Sequence, residues 1–233
     1  MGSYIYQLLD KHEKKEMLVN SNLHDFISTL YEIGIDPTLP ILSNENGVAP
    51  YLDGVALFRD DKIVGSISMK KNLYIKLFTN HNVFLGDITL NIPAEVLEEK
   101  GIKLVEKQKG DKFNITIHPI KYRGNVELSQ EESVNLNASI LVSTIELQPS
   151  VTLKNKESIK KMELIIEEEL NKEFGDILEE FRKLNTDPIG IGRKIKSIRK
   201  YSNLNEKDLR GKYSTLNLKP NIKVEIKRTG AVD

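Results

Sequence analysis

The stretch NKESIKKMELIIEEELNKEFGDILEEFRKL, residues 155–184, decides the fold class. In it, Ile159, Met162, Ile166, Leu170, Phe174, Ile177, Phe181 and Leu184 follow one another in steps of three or four. At 3.6 residues per turn such steps draw one apolar stripe down a helix. The 26 residues from Ile159 to Leu184 reach about 39 Å. A stripe of that length suits the covering of a sheet, and burying its side chains is worth about 1.5–3 kcal/mol each. Lys160, Glu167, Glu169 and Glu180 fall mostly off the stripe, and Glu167-Glu168-Glu169 reads as a solvated face. Gly175 costs the helix about 1 kcal/mol relative to Ala, which predicts a close packing contact there.

Downstream, Asn185-Thr186-Asp187-Pro188-Ile189-Gly190-Ile191-Gly192 ends the helix. Asp187 is expected to cap a second helix with Pro188 at its first position. The glycines lack the spacing of a phosphate-binding loop and read as a joint packed against the long helix. A short helix from Glu206 to Leu216 precedes Pro220 and a strand-like run, Ile222 to Arg228-Thr229-Gly230.

Upstream, Phe113, Ile115 and Ile117 alternate with polar residues, as do Val134, Leu136, Ala138 and Ile140. Period two marks strands with one buried face. Ile102–Lys107 is a weaker strand, joined to the next through Lys109-Gly110-Asp111, and Ile120–Leu128 continues past Pro119. Pro149 ends the last of these runs. Strands, a long helix, short helices and a final strand predict α+β, an antiparallel sheet with helices on one face.

Nearer the N-terminus, Ser21 or Asn22 can cap a helix whose Leu23, Phe26, Ile27, Leu30 and Tyr31 share a face, with Gly34 at its end. Pro37 and Pro40 prevent the helix from resuming, and Asn44-Glu45-Asn46-Gly47 is a turn cluster. Gly54–Phe58 and Lys62–Ser68 make a hairpin around Arg59-Asp60-Asp61. Asn72 caps a short helix that Asn80-His81-Asn82 ends; a strand Asp87–Ile92 and a helix Ala94–Lys100 follow. Two domains are expected, residues 1–90 and 91–233, with residues 1–20 the stump of a further one.

Composition excludes several chemistries. The chain has no Cys, so disulfides, thiolate catalysis and Cys-ligated zinc are absent. His12, His24, His81 and His118 are scattered, without the convergent spacing a metal needs. No nucleophile elbow or calcium loop is present, so no catalytic, cofactor or metal residue is assigned. No apolar run approaches the roughly 18 residues of a membrane span, and the chain is expected to be soluble by itself. Net charge is zero but unevenly spread: nine acids against three lysines from Glu157 to Glu180, then twelve Lys or Arg against three acids from Arg193 to Arg228. Arg193, Lys194, Lys196, Arg199, Lys200, Lys207, Arg210 and Lys212, interleaved with Tyr201 and Tyr213, form the candidate interaction face. Its counterpart is an anionic membrane surface or a partner subunit; the bland alternative ties these side chains to Glu167, Glu168, Glu169 and Asp176. Nucleic acid or a small ligand, bound by a free-standing module, is the competing reading, although no nucleic-acid-binding motif is present.

From Gly54-Val55-Ala56-Leu57-Phe58 and Lys62-Ile63-Val64-Gly65, through Asp187, Gly190 and Gly192, to Arg228-Thr229-Gly230, the order of motifs resembles the spore germination receptor C-subunit family. Family members often carry Trp near the region Tyr201–Tyr213, and this chain has none. The resemblance implies a non-catalytic lipoprotein ectodomain without a cofactor, acting in receptor assembly or in signalling in response to small-molecule germinants. It implies partners too, A-type and B-type integral membrane subunits, and a place on the outer face of the spore inner membrane held by a lipid anchor. The sequence then stands as a fragment lacking the signal peptide, the lipidated Cys and the first domain, with Met1-Gly2-Ser3 an added leader.

Overall fold

The computed structural model describes residues 23–44, 50–79, 85–104, 111–129, 133–147 and 155–227, together with Gln7 and Leu153. The capping residues Ser21 and Asn22, the Asn80-His81-Asn82 stop, most of the turn clusters near residues 46 and 109, Pro149 and Arg228-Thr229-Gly230 lie outside them.

Two sheets carry the fold. In the first, β1 (Thr38–Ser43), β2 (Tyr51–Arg59) and β3 (Lys62–Ser68) pair antiparallel in that order. The hairpin between β2 and β3 turns on Asp60, whose φ of 55° is left-handed. Strand β1 was not legible in the sequence, because Pro40 disguises it; at the edge of a sheet a proline costs no ladder bond. The helix before it, α1 (Leu23–Leu30), has no buried residue. Only part of its apolar face is seated, Phe26 meeting Phe58 edge-on at 5.0 Å, while Leu23, Ile27 and Tyr31 face solvent.

The second sheet runs β4 (Ile88–Pro93), β5 (Lys112–Leu128), β6 (Ser133–Leu147) and β7 (Asn217–Ile226), in sequence order. Between β4 and β5 lies the short helix α3 (Ala94–Glu99), and the described part of the expected strand at Ile102–Lys107 is irregular. Strand β5 passes through Pro119 without a break, because the register shifts there and the ladder loses no donor it needs. The first three strands are antiparallel, but β7 lies parallel to β6, Ser133 opposite Asn217 and Val142 opposite Ile226. Parallel neighbours need a long crossover, and the helical region between Leu147 and Asn217 provides it.

That crossover begins with α4 (Lys156–Leu184), the long helix read from the sequence, capped by a reciprocal Asn155–Ser158 box and closed by Asn185 at φ 52°. Its stripe is buried as expected: Met162, Ile166, Leu170, Phe174 and Phe181 are fully enclosed. Phe174 stacks on Tyr74 at 5.1 Å and on Phe78 at 5.3 Å, both from α2 (Asn72–Thr79), which follows a 3-10 turn, Met69–Lys71. One core joins the side chains of both sheets and the helices. The close packing contact expected at Gly175 is not there: a Cβ would meet nothing within 4 Å, and nothing in the structure explains the glycine.

The solvated-face reading of Glu167 is also overturned. Glu163 and Glu167 are buried, and each accepts a backbone N–H from β7: Ile226 N to Glu163 at 2.8 Å and Val224 N to Glu167 at 3.0 Å. Asn171 completes the row, accepting from Ile222 N at 2.7 Å and donating to Ile222 O at 3.0 Å. The match is geometric. Four helical residues rise about 6 Å and two strand residues about 6.7 Å, so positions 171, 167 and 163 keep step with 222, 224 and 226. The helix thereby satisfies the edge that β7 would otherwise leave open.

Candidate functional site

The chain returns from α4 into a tight loop, and that loop is a clasp. Asp187 does not cap a helix starting at Pro188. Helix α5 (Ile191–Lys196) begins later, after Gly190 at φ 79°, and the Asp187 carboxylate accepts from Gly190 N at 2.9 Å and from Gly192 N at 2.7 Å. Gly192 packs against Gly34, and Gly190 against Ile35 and the Arg193 side chain, neither against the long helix. Arg193 N donates to Gly34 O at 2.6 Å, and a Cβ on Gly34 would lie 2.4 Å from Arg193 N. Gly34 also has φ 86°, so no other residue fits this crossing without strain.

Three further bonds tie this loop to the first sheet. Asp36 N donates to Asp187 O at 2.9 Å, Asp187 N donates to the Asp36 carboxylate at 2.7 Å, and the Thr186 hydroxyl donates to Phe58 O at 2.5 Å. Helix α6 (Glu206–Thr215) closes the clasp from the other side. Its Arg210 chelates Asp36 at 2.7 and 3.0 Å and reaches Asp60, Glu206 and Asn185 O. Burial pushes the Asp187 carboxyl up to about 6 against the pull of the N–H groups at 192, 191 and 190, and the Asp36 charge adds to the rise.

The basic candidates divide. Arg210 belongs to the clasp, 18% exposed, and Arg193 pairs with Glu32 at 3.2 Å. Lys194, Arg199, Lys200 and Lys207 are exposed on α5, the 3-10 turn Arg199–Tyr201 and α6, and Lys196 and Lys212 are half-buried. Lys200 and Lys212 both lie over the Tyr201 ring, 5.2 and 5.5 Å from its centroid. Of the carboxylates named as their bland counterparts, Glu167 is engaged with Lys223 and Glu168 with Lys100.

Two other features draw notice. A groove of about 1260 Å³ runs by Lys121, Arg123, Ser139, Lys160, Lys223 and Glu225. At its edge Lys160 and Lys223 are already paired, with Glu163 and Glu167. His118 on β5 places one ring nitrogen 2.8 Å from Asp87 and the other 3.2 Å from Glu146, and the Asp87 bond raises its pKa. Among the described residues no three His, Asp or Glu side chains converge as metal ligands.

Sequence reasoning found Asp187, Gly190 and Gly192 but not their partner Asp36, since nothing local links residues 151 positions apart. Gly34 was read as a helix end, and its role as the floor under Gly192 has no sequence signal.

The chain resembles known proteins along most of its length. A curated relative, "Spore germination protein GerQC" of Bacillus cereus, is 24% identical over 234 residues; the match takes in the whole of this chain and 60% of the relative, so the chain spans less than two thirds of it. A solved structure titled "Crystal Structure of the GerBC protein" superposes with a TM-score of 0.65 at 14% identity, over 91% of this chain and 65% of the other, and so shares the fold. The model of the family described as "Spore germination B3/ GerAC like, C-terminal" matches residues 53–230, which take in most of β2, all of β3, the second sheet and the clasp loop but not β1. The chain therefore belongs to the spore germination B3/GerAC-like family, the germinant receptor C subunits that its motifs resemble.

Proposed function

We propose that this chain is part of a non-catalytic ectodomain that acts in the assembly or signalling of a germinant receptor. A role in spore germination comes with the family; the finer statement is our own reading. It places the protein beside A-type and B-type integral subunits, on the outer face of the spore inner membrane, held by a lipid anchor. We also place the boundary between a middle domain and the C-terminal domain near residue 90, where β4 enters the second sheet.

The observation that carries the reading is the family match across residues 53–230, within which the Asp187 to Gly192 loop is fastened to Asp36 ahead of the first sheet. The exposed lysines and arginines that follow the joint support a role at a charged surface. Among the described residues no helix is long and apolar enough to cross a membrane. An affinity-tagged full-length protein, expressed in spores and recovered from detergent-solubilised membranes, should bring multi-pass A- and B-type subunits with it. Recovery without them, together with a shift of random-sequence DNA by the purified chain at physiological salt, would give the basic face to nucleic acid instead.

A further inference from the structure

The clasp holds two buried carboxylates, Asp36 at 4% exposure and Asp187 at 7%, and one guanidinium between them. Arg210 grips Asp36 with both terminal nitrogens, so Asp36 has its counter-ion. Asp187 has backbone N–H groups only. Its surroundings do not make up the difference. From the β2–β3 turn comes Asp60, and from α6 comes Glu206, both acidic and both on Arg210. Helix α4 brings Arg182 with Glu179, which pair with each other at 2.8 Å. On α5, Arg193 is directed to Glu32. The Tyr213 hydroxyl lines the same small cavity as Asp36 and Asp187 and has no hydrogen-bond partner among the described residues. An ionised Asp187 therefore leaves one buried negative charge in excess at the joint.

We propose that the clasp is a proton-held latch: it closes most firmly with a proton on Asp187 and loosens when that proton leaves, releasing α5 and the basic segment behind it from the first sheet. The direction follows from linkage. Closed, the carboxyl sits near 6; opened to water, it returns toward the ordinary 3.8, so protonation favours the closed form. The favour is complete below the ordinary value and is lost as pH rises through the closed-form value. Burial pushes the Tyr213 hydroxyl upward, so it stays protonated throughout. Between about pH 5 and about pH 7.5 local opening should become about tenfold easier. Nothing in this step requires the receptor assembly, so it is testable on the chain alone.

The measurement is amide hydrogen exchange at Gly190 to Ile195 at those two pH values, each rate divided by its intrinsic chemical rate. Protection that falls about tenfold at the higher pH is expected. Asp187→Asn removes the titrating group and should show equal protection at both values, at a level below the native acid level because the side-chain NH2 cannot accept from the N–H that one carboxylate oxygen serves. Equal protection of the native chain at both pH values overturns the latch, and so does an Asp187→Asn variant with the native pH dependence. Should that variant fail to fold, the carboxyl carbon of Asp187 in the native chain still decides. A midpoint near 6 supports the latch, and one at the ordinary carboxylate value overturns it.

Discussion

The acidic helix and the basic segment that follows it carry similar amounts of charge, and the fold puts them to opposite uses. From Glu157 to Glu180 most carboxylates are engaged within the molecule. Glu163 and Glu167 seal the β7 edge, Glu168 meets Lys100, Glu173 meets Lys70 and the Tyr74 hydroxyl, and Glu180 meets Lys71. From Arg193 to Lys212, Arg193 and Arg210 meet carboxylates, while Lys194, Arg199, Lys200 and Lys207 face solvent. Equal charge density along a chain thus says nothing about whether the charges are structural. What separates the two is period. Residues 163, 167 and 171 repeat in step with alternate residues of a neighbouring strand, whereas the basic residues are scattered over two short helices and a 3-10 turn.

If the acidic helix is the embedded partner in this comparison, damage to its seat should have the largest effect. Phe174 is fully buried between two stacked rings, and Phe174→Ala should lower unfolding free energy by about 3–5 kcal/mol, read by chemical denaturation. A loss under about 1 kcal/mol would mean that the helix is not the closing element of the core.

The next effect separates structural from solvated carboxylates on one helix. Glu167→Ala leaves the Val224 N–H without its acceptor and removes the partner of Lys223, so a cost of about 1–3 kcal/mol is expected. Glu168→Ala, one residue away and exposed, removes only a surface pair with Lys100 and should cost about 0–1 kcal/mol. Equal costs for the two would erase the distinction on which the comparison rests.

Much of this architecture was legible in the chain because it is written in periods. The stripe of α4, the alternation in β5 and β6 and the hairpin around Asp60 each follow from local spacing. What was hidden depends on distant partners. Glu167 lies off the apolar stripe and looks solvated until a strand 57 residues later docks beside it. The parallel sense of β7 follows from the crossover path and leaves no mark on the strand itself. At the clasp the loop motif is visible, while Asp36, Gly34 and Arg210, which give it meaning, sit in unremarkable contexts. Arg210 in particular cannot be told by sequence from the exposed bases around it.

The smallest stability effect tests the other half of the comparison. Lys194, Lys196, Arg199 and Lys200 have no carboxylate partner among the described residues, and Lys200 only rests over Tyr201. Replacing all four with Gln should change stability by no more than about 0.5 kcal/mol per site, as for ordinary surface positions. Arg210→Gln is the internal control, since it strips Asp36 of its counter-ion and should cost several times more, about 3–5 kcal/mol for a buried pair broken on one side. The four-fold variant is then informative in spores. A surface of free cations within a Debye length, about 8 Å, of an anionic bilayer or an acidic partner sets orientation, and its loss should slow germination or lower receptor assembly while the protein stays folded. Normal germination by the folded variant would reduce the basic face to a solvated surface and leave the clasp, not the charge behind it, as the feature that the acidic helix and the first sheet were arranged to hold.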